Sequence, residues 1–497
     1  MTAQPLSRTA ARGAVVTVGG QVAKLVLQLT SVVVLSRLLS PKDYGLVAIV
    51  LVVIALGETF RDFGLSSASV QAKVLTDKQR SNLFWTNTGI GVVLAIVVFF
   101  VSWPLAAVTK EPGVVPITQV LSLSFLFNGL MSQYRASLLR TLRFRSLAII
   151  DVLSGAAALV VAITLALLGF GFWALVGQQL VQLGVGLVGT VVAARWLPGL
   201  PNREGNIRPM VKFGWALVGS QLIAYASANI DTLIVGLRFG TVSLGFYNRA
   251  FQLVMTPVNQ IRGPMTTVAL PVLSRIQETR ERFNEYIMVG QLGLGYPICL
   301  SLGAVAVLAE PLTLVALGPQ WGETAPLLRL LAISAMFQTL AFVGYWVYVS
   351  RGLGRELFKY SMVSAAIRIT CIVVGSQWGV VGVAFGFMIG PAINWPISIG
   401  WLSRVTDVPT RRLYLGAGRV LLLVGASGGV SALAIALIPP VPAPLTLLVG
   451  FGIYVAVVGI AMLAPWYRRD ARTLVGLVKI VRSPRTQAPA EPPAADV

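Results

Sequence analysis

Long apolar runs separated by short polar loops recur along almost the whole chain. Each run is about 20 residues long, which is the length that an α-helix needs to cross a bilayer core of about 30 Å. Lipid offers the backbone no hydrogen-bond partner, so runs of this kind are predicted to be helices. The pattern therefore predicts an all-α polytopic membrane protein with about 14 transmembrane helices. The predicted spans are 14–36, 45–68, 82–106, 115–134, 146–168, 172–194, 213–236, 244–270, 287–309, 325–349, 357–376, 378–402, 413–438 and 443–465.

The composition agrees with this class of protein. Of 497 residues, 56% are hydrophobic and only 11% are charged, whereas a soluble chain carries roughly a quarter charged residues. The chain has no histidine, and its two cysteines, Cys299 and Cys371, both lie inside apolar runs. These features argue against a disulfide framework, a thiolate or histidine metal site and histidine-based acid–base catalysis. We therefore expect no catalytic residue, no enzyme activity, no bound metal and no cofactor.

Basic residues are distributed unevenly between the two sides of the membrane. Alternate loops together with the two termini hold 28 of the 39 lysines and arginines, and the loops of the opposite side hold four. Lysine and arginine are retained in cytoplasmic loops, so both termini are predicted to face the cytoplasm. The net charge of +21 follows mainly from this asymmetry and attracts anionic membrane lipids. Because the charge is scattered over short loops, we do not expect nucleic-acid binding.

The chain contains a weak internal repeat. A shift of 200 positions places "VGGQ" (18–21) on "VGSQ" (218–221) and Gly45 on Gly245, and six spans, a basic linker and six more spans follow one another. Duplicated halves with a site between them are a common plan of transporters. We predict an N-lobe of six helices at 1–196, a cytoplasmic linker at 197–212, a C-lobe of six helices at 213–405, two additional helices at 406–466, and a basic, then Pro/Ala-rich cytoplasmic tail at 467–497.

Four stretches carry a resemblance to a known family: "SRLLSPKDYGLVAI" (36–49), "FRDFGLSSASVQ" (60–71), "NIDTLIVGLRFGTVSLGFYNRAFQL" (229–253) and "IRGPMTTVALPVLSRIQ" (261–277). They are similar to the polysaccharide transport family, which contains the O-antigen and colanic-acid type lipid-linked oligosaccharide flippases of the multidrug/oligosaccharidyl-lipid/polysaccharide (MOP) exporter superfamily. The resemblance implies a two-lobed fold of fourteen helices with alternating access, in the cytoplasmic (inner) membrane of a bacterium. It implies a polyprenyl-diphosphate-linked oligosaccharide as the substrate, with other polysaccharide-assembly proteins as further candidate partners.

Seven basic residues fall inside or at the edges of the spans: Lys24, Arg61, Arg249, Arg262, Arg329, Arg368 and Arg419. A charge at the middle of the bilayer costs on the order of 3 kcal/mol, so each of them needs a partner or water. An interior cavity supplies both, and the first four are our candidates for binding the anionic diphosphate. Lys24 is the sharpest case, because its helical neighbours Gly20, Gln21, Leu27 and Gln28 include no acid. Pairing with an acid is the alternative for each of these cations, and for Lys24 snorkelling towards the membrane surface is a further alternative.

Acidic residues in the spans are candidates for ion coupling. Asp231, Asp62 and Glu58 are the carboxylates that we assign to this role, since the chain has no Walker A pattern for direct use of ATP. Glu58, Arg61 and Asp62 are spaced i, i+3 and i+4, so Arg61 can pair with its neighbours on one helix face. This structural ion pair is the favoured interpretation of the cluster, and a substrate or gating role is the alternative.

The leading hypothesis is a flippase that moves a lipid-linked oligosaccharide to the outer leaflet for cell-surface polysaccharide biosynthesis, without breaking a bond. A cation-coupled multidrug exporter of the same superfamily is the alternative, although cationic drugs favour acidic cavities and the surplus in these spans is basic. A membrane-bound polymerase or ligase and a non-transporting scaffold are two further alternatives.

Overall fold

The computed structural model describes the backbone of residues 4–62, 76–201, 208–439 and 441–482. Side chains are described in these ranges except at 4–18, 62, 208–224, 226 and 475–482. Within these ranges the chain is helical and contains no strand. The α-helices are α1 Gln4–Leu38, α2 Pro41–Asp62, α3 Asp77–Thr109, α4 Val114–Leu121, α5 Leu123–Arg140, α6 Phe144–Leu167, α7 Trp173–Ala194, α8 Arg208–Arg275, α9 Arg280–Val307, α10 Ala309–Ala316, α11 Thr324–Ser350, α12 Gly354–Gly375, α13 Gly379–Val405, α14 Thr410–Leu437, α15 Ala443–Ala461 and α16 Pro465–Arg482.

Twelve segments of the described chain are long and apolar enough to cross a membrane. Two of them are about twice the usual length: Ser227–Arg275 has 49 residues and Gly354–Val405 has 52. The first is broken at Gly240, whose φ of 81° is a conformation that glycine adopts without strain. The second is broken by the 3₁₀ turn Ser376–Trp378. Each therefore holds two spans, and the predicted all-α fold with about fourteen transmembrane helices is confirmed.

Local sequence explains where several helices begin and end. The Thr76 side chain accepts from the backbone N–H of Gln79, and the Gln79 side chain accepts from the backbone N–H of Thr76. This reciprocal capping box satisfies two N–H groups that the first turn of α3 leaves without a partner. The same helix ends at Thr109, and the next residue, Lys110, has a left-handed backbone with φ of 57°.

The chain forms two compact units. Unit 1 comprises Met1–Gly263, Ala309–Ala335 and Ser361–Ile393, and unit 2 comprises Pro264–Leu308, Met336–Tyr360 and Asn394–Val497. In unit 1, α6 packs against α7 and α1, and α3 packs against α5. In unit 2, α9 packs against α14 and α16, and α14 packs against α15. The lobe boundaries predicted from the sequence divide the chain differently and stay a prediction.

The two copies of the internal repeat meet inside unit 1. A β-carbon on Gly45 would overlap the backbone carbonyl of Thr241, and one on Gly245 would overlap the backbone carbonyl of Pro41. Positions 41 and 241 are equivalent in the 200-residue repeat, as are 45 and 245. The contact is therefore reciprocal, as an approximate two-fold relation between the repeats requires. It depends on glycine at both positions, because only glycine lets the two backbones approach so closely.

Candidate functional site

A cavity of about 240 Å³ lies within unit 1 and is the candidate site. We call it the unit 1 cavity. Helices α1, α2, α6 and α7 and the second half of α8 contribute its walls. Its polar and charged lining residues are Lys24, Gln28, Ser31, Tyr44, Asp151, Gln178, Gln179, Gln182, Asn248, Arg249 and Gln252. The lining is thus rich in hydrogen-bonding groups although the surrounding helices are apolar.

Six residues of the cavity wall carry carboxamide side chains and form what we call the carboxamide cluster: Gln28, Gln178, Gln179, Gln182, Asn248 and Gln252. Gln178 and Gln182 are four residues apart and lie on one face of α7, where Gln178 Nε2 donates to the Ser31 hydroxyl at 2.8 Å. Asn248 and Gln252 repeat this spacing on α8, and Gln252 Nε2 donates to Asn248 Oδ1 at 3.0 Å. A carboxamide both donates and accepts hydrogen bonds without carrying charge. Such groups suit a ligand that is rich in hydroxyl groups.

Lys24 is the cation of the unit 1 cavity that keeps its charge available. Its side chain is half-buried on α1 and lines the cavity. Among the residues whose side chains the structure describes, no acid lies within ion-pair distance of its amino group. An ammonium in this position can donate to an anionic ligand without first leaving a carboxylate.

Asp151 is the acid of the cavity lining, and an arginine already neutralises its carboxylate. Both carboxylate oxygens accept from Arg135, which donates through its two terminal nitrogens at 2.8 and 3.3 Å. This two-pronged geometry is the strong form of an arginine–carboxylate pair. Because Arg135 neutralises Asp151, the described lining has a positive balance that comes from Lys24 and Arg249.

Arg249 also lines the cavity, but its guanidinium already interacts with an aromatic ring. Its guanidinium carbon lies 3.7 Å from the centroid of the Tyr44 ring, and the residue is only 6% exposed. A guanidinium over an aromatic face is attracted by the negative charge of that face. Its Nε has no hydrogen-bond partner among the described groups. Lys24 and Arg249 are thus the two predicted site residues that the structure brings together.

Arg61 does not line the unit 1 cavity. It is buried, and its Nε donates to the Glu58 carboxylate at 2.5 Å, while Glu58 also accepts from Asn128 Nδ2 at 2.8 Å. These contacts correspond to the structural ion pair that the spacing on α2 allows. Asp62 is the last residue of α2, and its side chain, like residues 63–71 of the resembling stretch, lies outside the described part of the chain.

Arg262 and Asp231 are buried elsewhere in unit 1 and do not line the cavity. Arg262 donates to the backbone carbonyl of Ala335 at 3.3 Å. Asp231 accepts from the Tyr247 hydroxyl at 2.6 Å. The other carboxylate oxygen of Asp231 has no hydrogen-bond partner among the described groups.

The carboxamide cluster is the part of the site that charge alone does not predict. Its signal in the sequence is "QQLVQ" (178–182) inside an otherwise apolar span, and "NRAFQ" (248–252) around Arg249. Glutamine and asparagine in a span need partners much as charged residues do. Counting amides together with charges would therefore have identified α7 as a wall of the site.

Known proteins resemble this chain over most of its length. Residues 34–326 match the model of a family described as "Polysaccharide biosynthesis protein". The lipopolysaccharide biosynthesis protein WzxC of Escherichia coli (strain K12) is 28% identical over 382 residues, which are 75% of this chain and 76% of that protein. The teichuronic acid biosynthesis protein TuaB of Bacillus subtilis (strain 168) is 25% identical over 74% of this chain and 77% of that protein.

Solved structures share the fold at low sequence identity. The lipid II flippase MurJ in an inward closed conformation aligns with a TM-score of 0.71 at 14% identity, over 91% of this chain and 99% of that one. An inward-facing multidrug resistance MATE family transporter of the MOP superfamily aligns with a TM-score of 0.56 at 15% identity, over 82% of this chain and 98% of that one. The predicted MOP-type fold is confirmed by these likenesses.

Proposed function

The chain belongs to the polysaccharide biosynthesis protein family, and on that premise we propose that it is a flippase for a polyprenyl-diphosphate-linked oligosaccharide. It takes this lipid from the cytoplasmic leaflet and delivers it to the outer leaflet by alternating access, for the assembly of a surface polysaccharide. No bond of the substrate is broken. The family assignment agrees with the resemblance carried by the four stretches between residues 36 and 277, which is confirmed.

One observation carries the proposal for the site: a single polar cavity combines six carboxamides with a lysine that has no acid partner among the described residues. Lys24 donates to the diphosphate of the substrate. The amides of α7 and α8 bind sugar hydroxyls, because they can donate and accept at the same time. Arg249 is a second contact for the diphosphate, while Arg61 and Arg262 stay predictions as contacts made outside the unit 1 cavity.

A cation-coupled multidrug exporter fits this cavity less well. A cationic drug favours an unpaired carboxylate, and Asp151 already pairs with Arg135. The lining is therefore better suited to an anionic ligand. If transport is driven by an ion gradient, Asp231, Asp62 and Glu58 stay the candidate coupling groups.

The chain is a multi-pass membrane protein, and we place it in the cytoplasmic membrane of a bacterium with both termini in the cytoplasm. The unequal distribution of lysine and arginine between alternate loops supports this orientation. Anionic membrane lipids are proposed partners of the basic loops, and other polysaccharide-assembly proteins are proposed partners of the flippase.

The test is Lys24→Ala in a bacterial host whose own copy of the gene has been deleted. Loss of a hydrogen bond to a charged group costs about 1.5–3 kcal/mol, so we expect binding to weaken roughly ten- to hundredfold. Surface polysaccharide should then fall, and the total amount of lipid-linked oligosaccharide in the cells should rise. Both are measured by extraction and mass spectrometry.

Lys42→Ala is the matched control. This lysine is exposed at the start of α2 and pairs with Glu111 at 3.6 Å, outside the unit 1 cavity. It should leave export unchanged, whereas Lys24→Arg should retain part of it because a cation remains. Normal polysaccharide in a Lys24→Ala strain with normal protein levels would contradict the role of Lys24.

A further inference from the structure

The C-terminal helix α16 begins where the last membrane span ends. Only Met462, Leu463 and Ala464 separate it from α15. Its sequence contains five lysines and arginines and one acid, Asp470. In helical projection Leu474 shares the side of Asp470, while Arg468 and Arg472 occupy the opposite side.

Asp470 attaches this helix to the membrane-spanning part of unit 2. It is only 4% exposed, it accepts from the Tyr296 hydroxyl of α9 at 2.7 Å, and it pairs with Arg419 of α14 at 3.2 Å. The Tyr467 hydroxyl donates to the backbone carbonyl of Arg419 at 3.2 Å. One face of α16 is therefore fixed against α9 and α14.

The contacts of Asp470 determine the charge that α16 presents outward. Asp470, the single acid of α16, pairs with Arg419 of α14 and therefore does not neutralise an arginine of its own helix. Arg468, Arg469 and Arg472 are all exposed and lie away from the fixed face. The outward surface of α16 is thus cationic with no compensating acid of its own.

The surroundings of this cationic surface favour a lipid headgroup as its ligand. Trp466 is 68% exposed and Leu463 is exposed beside it, at the point where the chain leaves α15. Exposed tryptophan and adjacent basic residues at the end of a span are typical of the headgroup region of a bilayer. An acidic soluble protein would complement the arginines but would leave Trp466 and Leu463 in water.

We propose that α16 is a membrane-surface helix whose Arg468, Arg469 and Arg472 bind the phosphate groups of anionic phospholipids, while Asp470 holds the helix on α9 and α14. The site is separate from the unit 1 cavity and does not depend on the substrate assigned to that cavity. Each basic residue near an anionic surface contributes about fivefold to binding.

The test uses full-length protein in nanodiscs of phosphatidylcholine with increasing fractions of phosphatidylglycerol. Amide hydrogen exchange of residues 465–474 is measured, and protection is expected to rise with the anionic fraction. Each single substitution among R468Q, R469Q and R472Q should shift the midpoint of this rise by about fivefold, and the triple variant should lose the lipid dependence.

Two controls keep the result interpretable. The variant R275Q/R280Q/R282Q also removes three positive charges, but from exposed arginines in another part of unit 2. In that variant α16 should keep its lipid dependence. D470N should accelerate exchange of α16 in both lipid compositions, because its attachment is weakened. Equal protection in neutral and anionic discs, or an unchanged midpoint in the triple variant, would overturn the proposal. Protection that requires an added soluble protein would overturn it in favour of an acidic protein partner.

Discussion

The guanidinium of Arg249 stacks on the ring of Tyr44, and this contact changes what the arginine offers a ligand. A buried cation–π contact contributes about 2 kcal/mol. A ligand phosphate must therefore compete with the ring for this cation. No such competition applies to Lys24, which is why we treat Lys24 as the first contact of the diphosphate and Arg249 as the second.

A double-mutant cycle tests the contact between Arg249 and Tyr44. Tyr44→Leu removes the ring, and Arg249→Met removes the charge while keeping a chain of similar length. Tyr44 also packs edge-on against Trp321 at 5.5 Å, so the single Tyr44→Leu variant measures more than one contact. The cycle isolates the coupling, which we expect to be about 1–2 kcal/mol in the free energy of unfolding in detergent.

Tyr44→Phe is the matched control for this cycle. It keeps the aromatic face, so the guanidinium keeps its partner and the coupling to Arg249 should persist. A coupling energy near zero between Tyr44 and Arg249 would show that the stacked geometry does not stabilise the fold.

The reciprocal glycine contacts make a prediction about elements. Gly45 at the start of α2 meets the backbone at Thr241, and Gly245 in the second half of α8 meets the backbone at Pro41. Because the opposing atoms belong to the backbone, a methyl group at either glycine forces the helix ends apart. We expect Gly45→Ala and Gly245→Ala each to lower the free energy of unfolding by about 1–3 kcal/mol. Chemical denaturation of the purified protein in detergent measures this loss.

Gly89→Ala is the control for the two glycine variants. Gly89 lies inside α3, and among the residues that the structure describes, apart from the neighbouring backbone of α3 itself, no atom lies within 4 Å of the place where its β-carbon would be. Alanine there should be neutral or stabilising by up to about 1 kcal/mol, since glycine is unfavourable inside a helix. If Gly45→Ala and Gly245→Ala behaved like this control, the close approach of the repeats would not contribute to stability.

The spans could be predicted from the sequence because each depends on local hydropathy alone. The break at Gly240, for example, falls between predicted spans 213–236 and 244–270. The stacking of Arg249 on Tyr44 could not be predicted, because these residues are distant in sequence and only the packing of α2 against α8 brings them together. The helix Pro465–Arg482 could not be predicted either, because its high charge conceals the face that carries the buried Asp470.

At the scale of the whole molecule, the loops of unit 1 sort into two groups by their contacts. Among loops predicted to face outward, Thr241 Oγ1 donates to Glu111 at 2.9 Å, Lys42 pairs with Glu111 at 3.6 Å, and Arg238 donates to the Ser376 hydroxyl at 2.6 Å. These contacts join the loops that follow predicted spans 1, 3, 7 and 11. Alternate loops thus meet at the same end of the unit, as the count of spans requires.

Loops predicted to face the cytoplasm contact one another in the same way. Arg80 donates to the Ser137 hydroxyl at 2.6 Å, and Arg143 donates to the backbone carbonyl of Ala193 at 2.7 Å. The residues involved belong to the basic group of loops, whereas the outward group holds four lysines and arginines. The charge asymmetry between the two ends then predicts which end lies in the cytoplasm.

Cysteine accessibility tests this orientation for the whole chain. In a background with Cys299→Ser and Cys371→Ser, single cysteines are placed at the exposed positions Lys42 and Arg280. We expect a membrane-impermeant maleimide to label Lys42→Cys in intact cells and to label Arg280→Cys only after the membrane is permeabilised. Lys110→Cys and Arg411→Cys repeat the comparison on a second pair of exposed loops. Labelling of Arg280→Cys and Arg411→Cys from outside would show that the predicted orientation is wrong. Lysine and arginine would then be concentrated on the outer side, contrary to the positive-inside rule.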